Sequence, residues 1–104
     1  MSEFKNVTII REANVYFDGR CVSRNVMFPD GTRKTLGFLQ NGDYTFSTGA
    51  AETMEILSGE LTVELPGTEA PAHIKGQGVF VVPAKSSFTM HVTSPVDYCC
   101  SYAE

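Results

Sequence analysis

Apolar and polar residues alternate along most of this chain with a period of two, the mark of strands that bury one face. Tyr44, Phe46 and Thr48 alternate with Thr45 and Ser47; Met54 and Ile56 repeat the pattern, and Leu61, Val63 and Leu65 repeat it again. Ser58-Gly59 lies between two of these runs and predicts a hairpin. Residues 42–65 thus read strand, loop, strand, tight turn, strand. Before them, residues 1–17 hold only short apolar clusters and predict a lead-in strand or arm. Residues 20–28 form a strand with Cys21 and Ser23 on one face and Val22 and Arg24 on the other. Pro29-Asp30-Gly31 is a tight turn into a return strand over 32–39, and Asn41-Gly42 predicts a second hairpin. After the central block, 66–75 is a Pro-rich loop and 79–82 a continuous apolar strand. Phe88, Met90 and Val92 then share one face, as do Tyr98, Cys100 and Tyr102. No helical periodicity of useful length, repeat or linker interrupts the series. About eight to ten short strands at regular spacing predict a single all-β domain over residues 1–104, a sandwich or barrel.

Composition narrows the class. Apolar residues make up 42% of the chain and charged residues 19%, ordinary for a folded soluble domain. No apolar run nears the roughly 18 residues of a membrane span, and the first residues lack a signal peptide's apolar stretch. A cytoplasmic protein is expected, and Cys21, Cys99 and Cys100, which lack zinc or redox spacing, agree with that as packing residues. Adjacent Cys99 and Cys100 belong on opposite faces of a strand. The net charge of −4 is uneven: residues 1–41 hold six Lys/Arg against four Asp/Glu, residues 42–104 two against eight. That balance argues against nucleic acid as a partner but leaves Arg20, Arg24, Arg33 and Lys34 to meet a small anion.

Glu52 precedes Gly59 with six residues between them, and this spacing resembles the end of the first cupin motif, G-x5-H-x-H-x3-4-E-x6-G. Its histidine positions fall on Phe46 and Thr48, or on Thr45 and Ser47 with the longer spacing. The second motif is echoed by GQGVFVVPAKSSF, with Pro83 in place, Lys85 at the usual glycine and Phe88 at the third histidine. GDYTFST, E-x-M-x-I-x-SG, LP, VFVVPAKSSF and DYCCSY, in this order over residues 19–102, resemble a narrower family, the pyrimidine/purine nucleoside phosphorylases. The resemblance implies a cupin-type double-stranded β-helix, or jelly-roll barrel. It implies phosphorolysis of purine and pyrimidine nucleosides to free base and pentose 1-phosphate, with inorganic phosphate as co-substrate and no cofactor.

Candidate site residues follow. Glu52 matches the cupin glutamate that points into the barrel, and there it would act on the sugar as the catalytic carboxylate. Arg33 offers phosphate a planar fork of donors, and Lys85 a point charge near the barrel mouth. Ser47 and Thr48 supply hydroxyls. Tyr44 and Phe46 offer a flat surface for the base; the pattern equally allows Tyr44 as barrel core and favours that place for Phe46. His73 and His91, the only histidines, do not converge with Glu52 in this reading, so no metal is expected. Two alternatives remain: a non-catalytic barrel that holds a small metabolite, and a metal cupin with atypical ligands such as Glu52, Glu55 and His91. A small barrel with exposed strand edges and an aromatic last strand, Tyr98 and Tyr102, predicts a homodimer.

Overall fold

The computed structural model describes residues 2–103. Nine strands run in chain order: β1 (Thr8–Ile9), β2 (Asn14–Tyr16), β3 (Cys21–Met27), β4 (Arg33–Leu39), β5 (Gly42–Ser47), β6 (Glu52–Glu64), β7 (Ala72–Lys75), β8 (Gly78–Val82) and β9 (Ser87–Tyr102). A single 3-10 turn, Phe17–Gly19, separates β2 from β3. Among the described residues, no helix is long and apolar enough to cross a membrane.

The long strands β6 and β9 organise the barrel. They pair antiparallel from Glu52 opposite Tyr102 to Glu64 opposite Thr89. The second half of β9 also pairs with β4, and β4 with β3, which carries β1 and β2. The first half of β9 pairs with β5. On the far edge of β6, β8 covers the first half and β7 the second. Two sheets thus share β6 and β9, and the result is the antiparallel jelly roll that the resemblance implied. Even-numbered residues of β9 point inward: Phe88, Met90, Val92, Val96, Tyr98 and Cys100 are all buried. Leu39, Ile56, Leu61, Val63 and Val82 complete the core against them.

Three sequence expectations are corrected. Ser58-Gly59 is not a hairpin but a bulge inside the 13-residue β6, where the register against β9 shifts repeatedly between Ile56 and Leu61. Here both long strands bend from one sheet to the other. Gly59 takes a φ of 103°, and a Cβ on it would stand 2.2 Å from the Pro95 carbonyl oxygen. Glycine is required, and the bend keeps the chain in one strand. Asn41-Gly42 is not a hairpin either. Both β4 and β5 run antiparallel to β9, so they run in the same direction, and residues 40–41 only step the chain from one half of β9 to the other. The Asn41 side chain bridges that step by donating to the Thr93 carbonyl at 3.1 Å. Within the Pro-rich segment, Ala72–Lys75 pairs with β6 as a strand. The Pro29-Asp30-Gly31 turn does form, closed by Asp30, whose Oδ1 accepts from the Thr32 backbone N–H at 2.9 Å.

Gly37 makes another tight contact. It lies opposite Tyr98, and a Cβ on it would meet the Tyr98 ring at 2.3 Å. Gly37→Ala is therefore expected to destabilise the fold by about 1–3 kcal/mol. A urea melt measures the loss.

Candidate active site

A cavity of about 300 Å³ opens into the barrel, and its lining divides by sheet. One wall is polar: Ser23 from β3, Arg33 from β4, Glu52 from β6, and Tyr98, Cys100 and Tyr102 from the second half of β9. The other wall is aromatic and apolar: Phe46 from β5 and Phe88 and Met90 from the first half of β9, with Ser47 beside them. Tyr16 of β2 closes over this side, and Met54 lies between the walls on β6. The division follows from the fold, because β9 gives its two halves to different sheets.

Among the described residues that line the cavity, Glu52 is the only carboxylate and Arg33 the only cation. The Arg33 guanidinium carbon lies 3.9 Å from the centroid of the Tyr102 ring, and Nη1 donates to Asn25 Oδ1 at 3.5 Å. This stacking holds the planar group against the wall. Asn14 Nδ2 donates to Ser23 Oγ at 3.2 Å and lies 3.4 Å from Asn25 Oδ1, tying β2 to the same network. Thr35 Oγ1 and Tyr102 Oη share a hydrogen bond of 3.0 Å.

The Cys100 thiol points to Glu52 Oε1 at 3.5 Å. Burial raises the Glu52 pKa above the usual carboxylate value, while the Cys100 thiol and the Arg33 charge oppose that rise. Burial likewise pushes the Cys100 thiol and the Tyr102 hydroxyl up to about 12, and raises Tyr98 as well. These three groups stay protonated at neutral pH and serve as donors rather than nucleophiles. The site offers a carboxylate in a partly dry setting, a fixed guanidinium, neutral donors and a facing aromatic wall.

Of the six candidates taken from the sequence, Glu52, Arg33 and Ser47 line this cavity. Tyr44, Thr48 and Lys85 do not. Tyr44 is 1% exposed and donates its hydroxyl to the Gln40 carbonyl at 2.7 Å, so Phe46 rather than Tyr44 presents its ring to the cavity. Thr48 is buried and binds the neighbouring loop, donating to the Pro83 carbonyl at 2.7 Å and accepting from the Ser86 N–H at 3.0 Å. Lys85 sits exposed in the turn between β8 and β9, its backbone N–H donating to the Gly49 carbonyl. Cys99 and Cys100 do take opposite faces, but Cys100 lines the cavity instead of only filling the core. Tyr98 and Tyr102 also point inward, not toward a second copy. Their shared face with Cys100 was visible in the sequence; that this face borders a cavity was not.

The histidines lie outside the barrel. His91 Nδ1 meets Asp43 Oδ1 at 2.8 Å and its Nε2 meets Glu64, while His73 Nε2 meets Glu60 at 2.8 Å. Glu55 is exposed on the outward face of β6, so Glu52, Glu55 and His91 do not converge. Among the described residues, no three of His, Cys, Asp and Glu gather as a metal site.

The family described as pyrimidine/purine nucleoside phosphorylase matches residues 11–102. The chain belongs to this family. It is 68% identical to the pyrimidine/purine nucleoside phosphorylase of Geobacter sulfurreducens over 98% of each chain. The relative of that name from Leptospira interrogans is 57% identical over 100% of this chain and 98% of its own. Among solved structures, a protein of unknown function from an Acinetobacter species superposes with a TM-score of 0.91 at 38% identity, covering 96% of this chain and 97% of that one. An RmlC-like cupin from Shewanella frigidimarina superposes at 0.69 with 13% identity, covering 97% and 86%, and shares the cupin fold.

Proposed function

We propose that this cavity phosphorolyses purine and pyrimidine nucleosides without a bound metal or cofactor. One observation carries the reading: in a member of this family, the Glu52 carboxylate and the Arg33 guanidinium share a cavity with a facing aromatic wall. Arg33 holds phosphate. Glu52, as carboxylate, accepts hydrogen bonds from the sugar hydroxyls and offsets positive charge at the anomeric carbon. A phosphate oxygen forms a bond to that carbon as the bond to the base nitrogen breaks. The electron pair leaves with the base, which takes up a proton. Alignment and fixed charge supply the catalysis. Phe46, backed by Phe88, gives the base a surface to stack on, and stacking without edge readout accommodates both base classes.

The test is direct. Uridine and adenosine incubated with the protein should release free base only when phosphate is present, and pentose 1-phosphate should appear in equal amount. Base release without phosphate, or none with it, overturns the reading; nucleoside binding without turnover favours the metabolite-binding alternative. Activity is expected to survive prolonged chelation, and elemental analysis to find no stoichiometric zinc, iron or manganese. One metal per chain, with activity lost on its removal, overturns the metal-free mechanism.

A homodimer in the cytoplasm belongs to the same proposal. All three cysteines are unpaired thiols. Leu36 and Phe38 on β4 and Val79 and Val81 on β8 present exposed apolar side chains on the outward face of one sheet, 39–62% accessible. A second copy would cover them. Light scattering at micromolar concentration should give twice the chain mass, and a monomer would count against it.

A further inference from the structure

Phe46 is enclosed by rings. Its centroid lies 6.0 Å from that of Phe88 on one side, in a stacked pair, and 5.8 Å from that of Tyr16 on another, edge to face. A planar base placed between two rings needs about 3.5 Å to each, roughly 7 Å in all. Neither gap is wide enough. Phe88 is 4% exposed and fixed in the core, whereas Tyr16 is 44% exposed on β2, which pairs only with β3. Tyr16 is therefore the wall that can yield.

The backbone explains how two adjacent aromatics reach the same target. Successive side chains of a strand point to opposite faces, yet Tyr16 and Phe17 both meet Phe46, Phe17 at 5.4 Å. Phe17 and Asp18 take left-handed φ values of 52° and 56°, and Gly19 follows at 88°. This run is the turn that carries β2 back into β3. Non-glycine residues rarely adopt that conformation unless their surroundings hold them there. Arg20 does so, its backbone N–H and Nε both donating to the Phe17 carbonyl at 3.1 and 3.2 Å. At the other end, Asn14 is bound to Ser23 on the polar wall.

We propose that Tyr16 is a base-binding residue, which lines the cavity from β2 and stacks its ring against the base beside Phe46. This rests on the phosphorolysis reading and adds to it the residue that completes the aromatic side.

Kinetics in both directions test it. Tyr16→Ala should raise the KM for adenosine and for uridine about ten- to a hundredfold, the range of one lost stacking contact. In nucleoside synthesis it should raise the KM for the free base while leaving that for pentose 1-phosphate, which carries no base, within about twofold. Tyr16→Phe should restore most of the loss, because the ring is retained. An unchanged nucleoside KM in Tyr16→Ala overturns the proposal. So does an equal rise for pentose 1-phosphate, which would mean a general loss of site structure. If the wild-type protein releases no base, the phosphorolysis reading fails by itself. Calorimetric titration with adenosine and uridine then decides the role of Tyr16: weaker binding by Tyr16→Ala supports it, and equal binding or none by the wild type overturns it.

Discussion

Replacing Glu52 with glutamine is expected to lower kcat about a hundred- to a thousandfold and to leave the phosphate KM nearly unchanged. The carboxylate acts on charge that develops at the sugar, so its loss appears mainly in the transition state. The pH profile gives a second readout. Burial raises the Glu52 pKa, and the ionised form is the active one, so wild-type activity should fall as pH drops through a value above the ordinary carboxylate range. That acid limb should vanish in Glu52→Gln. The same shift has an opposite sign for stability. A group whose pKa is raised by folding stabilises the fold below its unfolded pKa and loses that contribution as pH rises through the folded value. At neutral pH, Glu52→Gln should therefore melt no lower than wild type. A variant that loses activity and also melts lower would assign Glu52 to holding the barrel instead.

Arg33→Ala is expected to raise the phosphate KM about ten- to a hundredfold, the equivalent of a lost charge-assisted contact of roughly 1.5–3 kcal/mol. The nucleoside KM should change much less. Arg33→Lys should recover only part, because a lysine neither presents the fork nor stacks on Tyr102 as the guanidinium does. Removing the Arg33 charge also takes away one of the two influences that hold the Glu52 pKa down. The acid limb of Arg33→Ala should accordingly move to higher pH. Equal losses on the same kinetic parameter in both variants would overturn the division between phosphate and sugar. Initial-rate measurements with each substrate varied in turn distinguish these outcomes.

Alternation of apolar and polar residues alone determined that this chain is built of strands, and it grouped the residues that share a face along β9 but did not show that Tyr98 and Tyr102 point inward. It placed Tyr98, Cys100 and Tyr102 together, separated Cys99 from Cys100, and located the turn at Asp30-Gly31, because these are local consequences of backbone geometry. The motif spacing brought Glu52 forward, and Arg33 followed from its charge and its place in the resembling strand. Tertiary structure decided what a local signal leaves open. A glycine between apolar runs serves a hairpin or a bulge equally well, and the close approach of Pro95 to Gly59 selected the bulge. Asn41-Gly42 favours a tight turn, yet pairing of both β4 and β5 with β9 carried the chain onward. Tyr44 and Phe46 share a face, so their alternation could not show which borders the cavity. Tyr44 is anchored on the Gln40 carbonyl in the core, and Phe46 lies farther along β5, where the barrel opens. Asp18-Gly19 reads as a turn in the sequence, but only the pairing of β2 with β3 beyond that turn brings Tyr16 to the cavity.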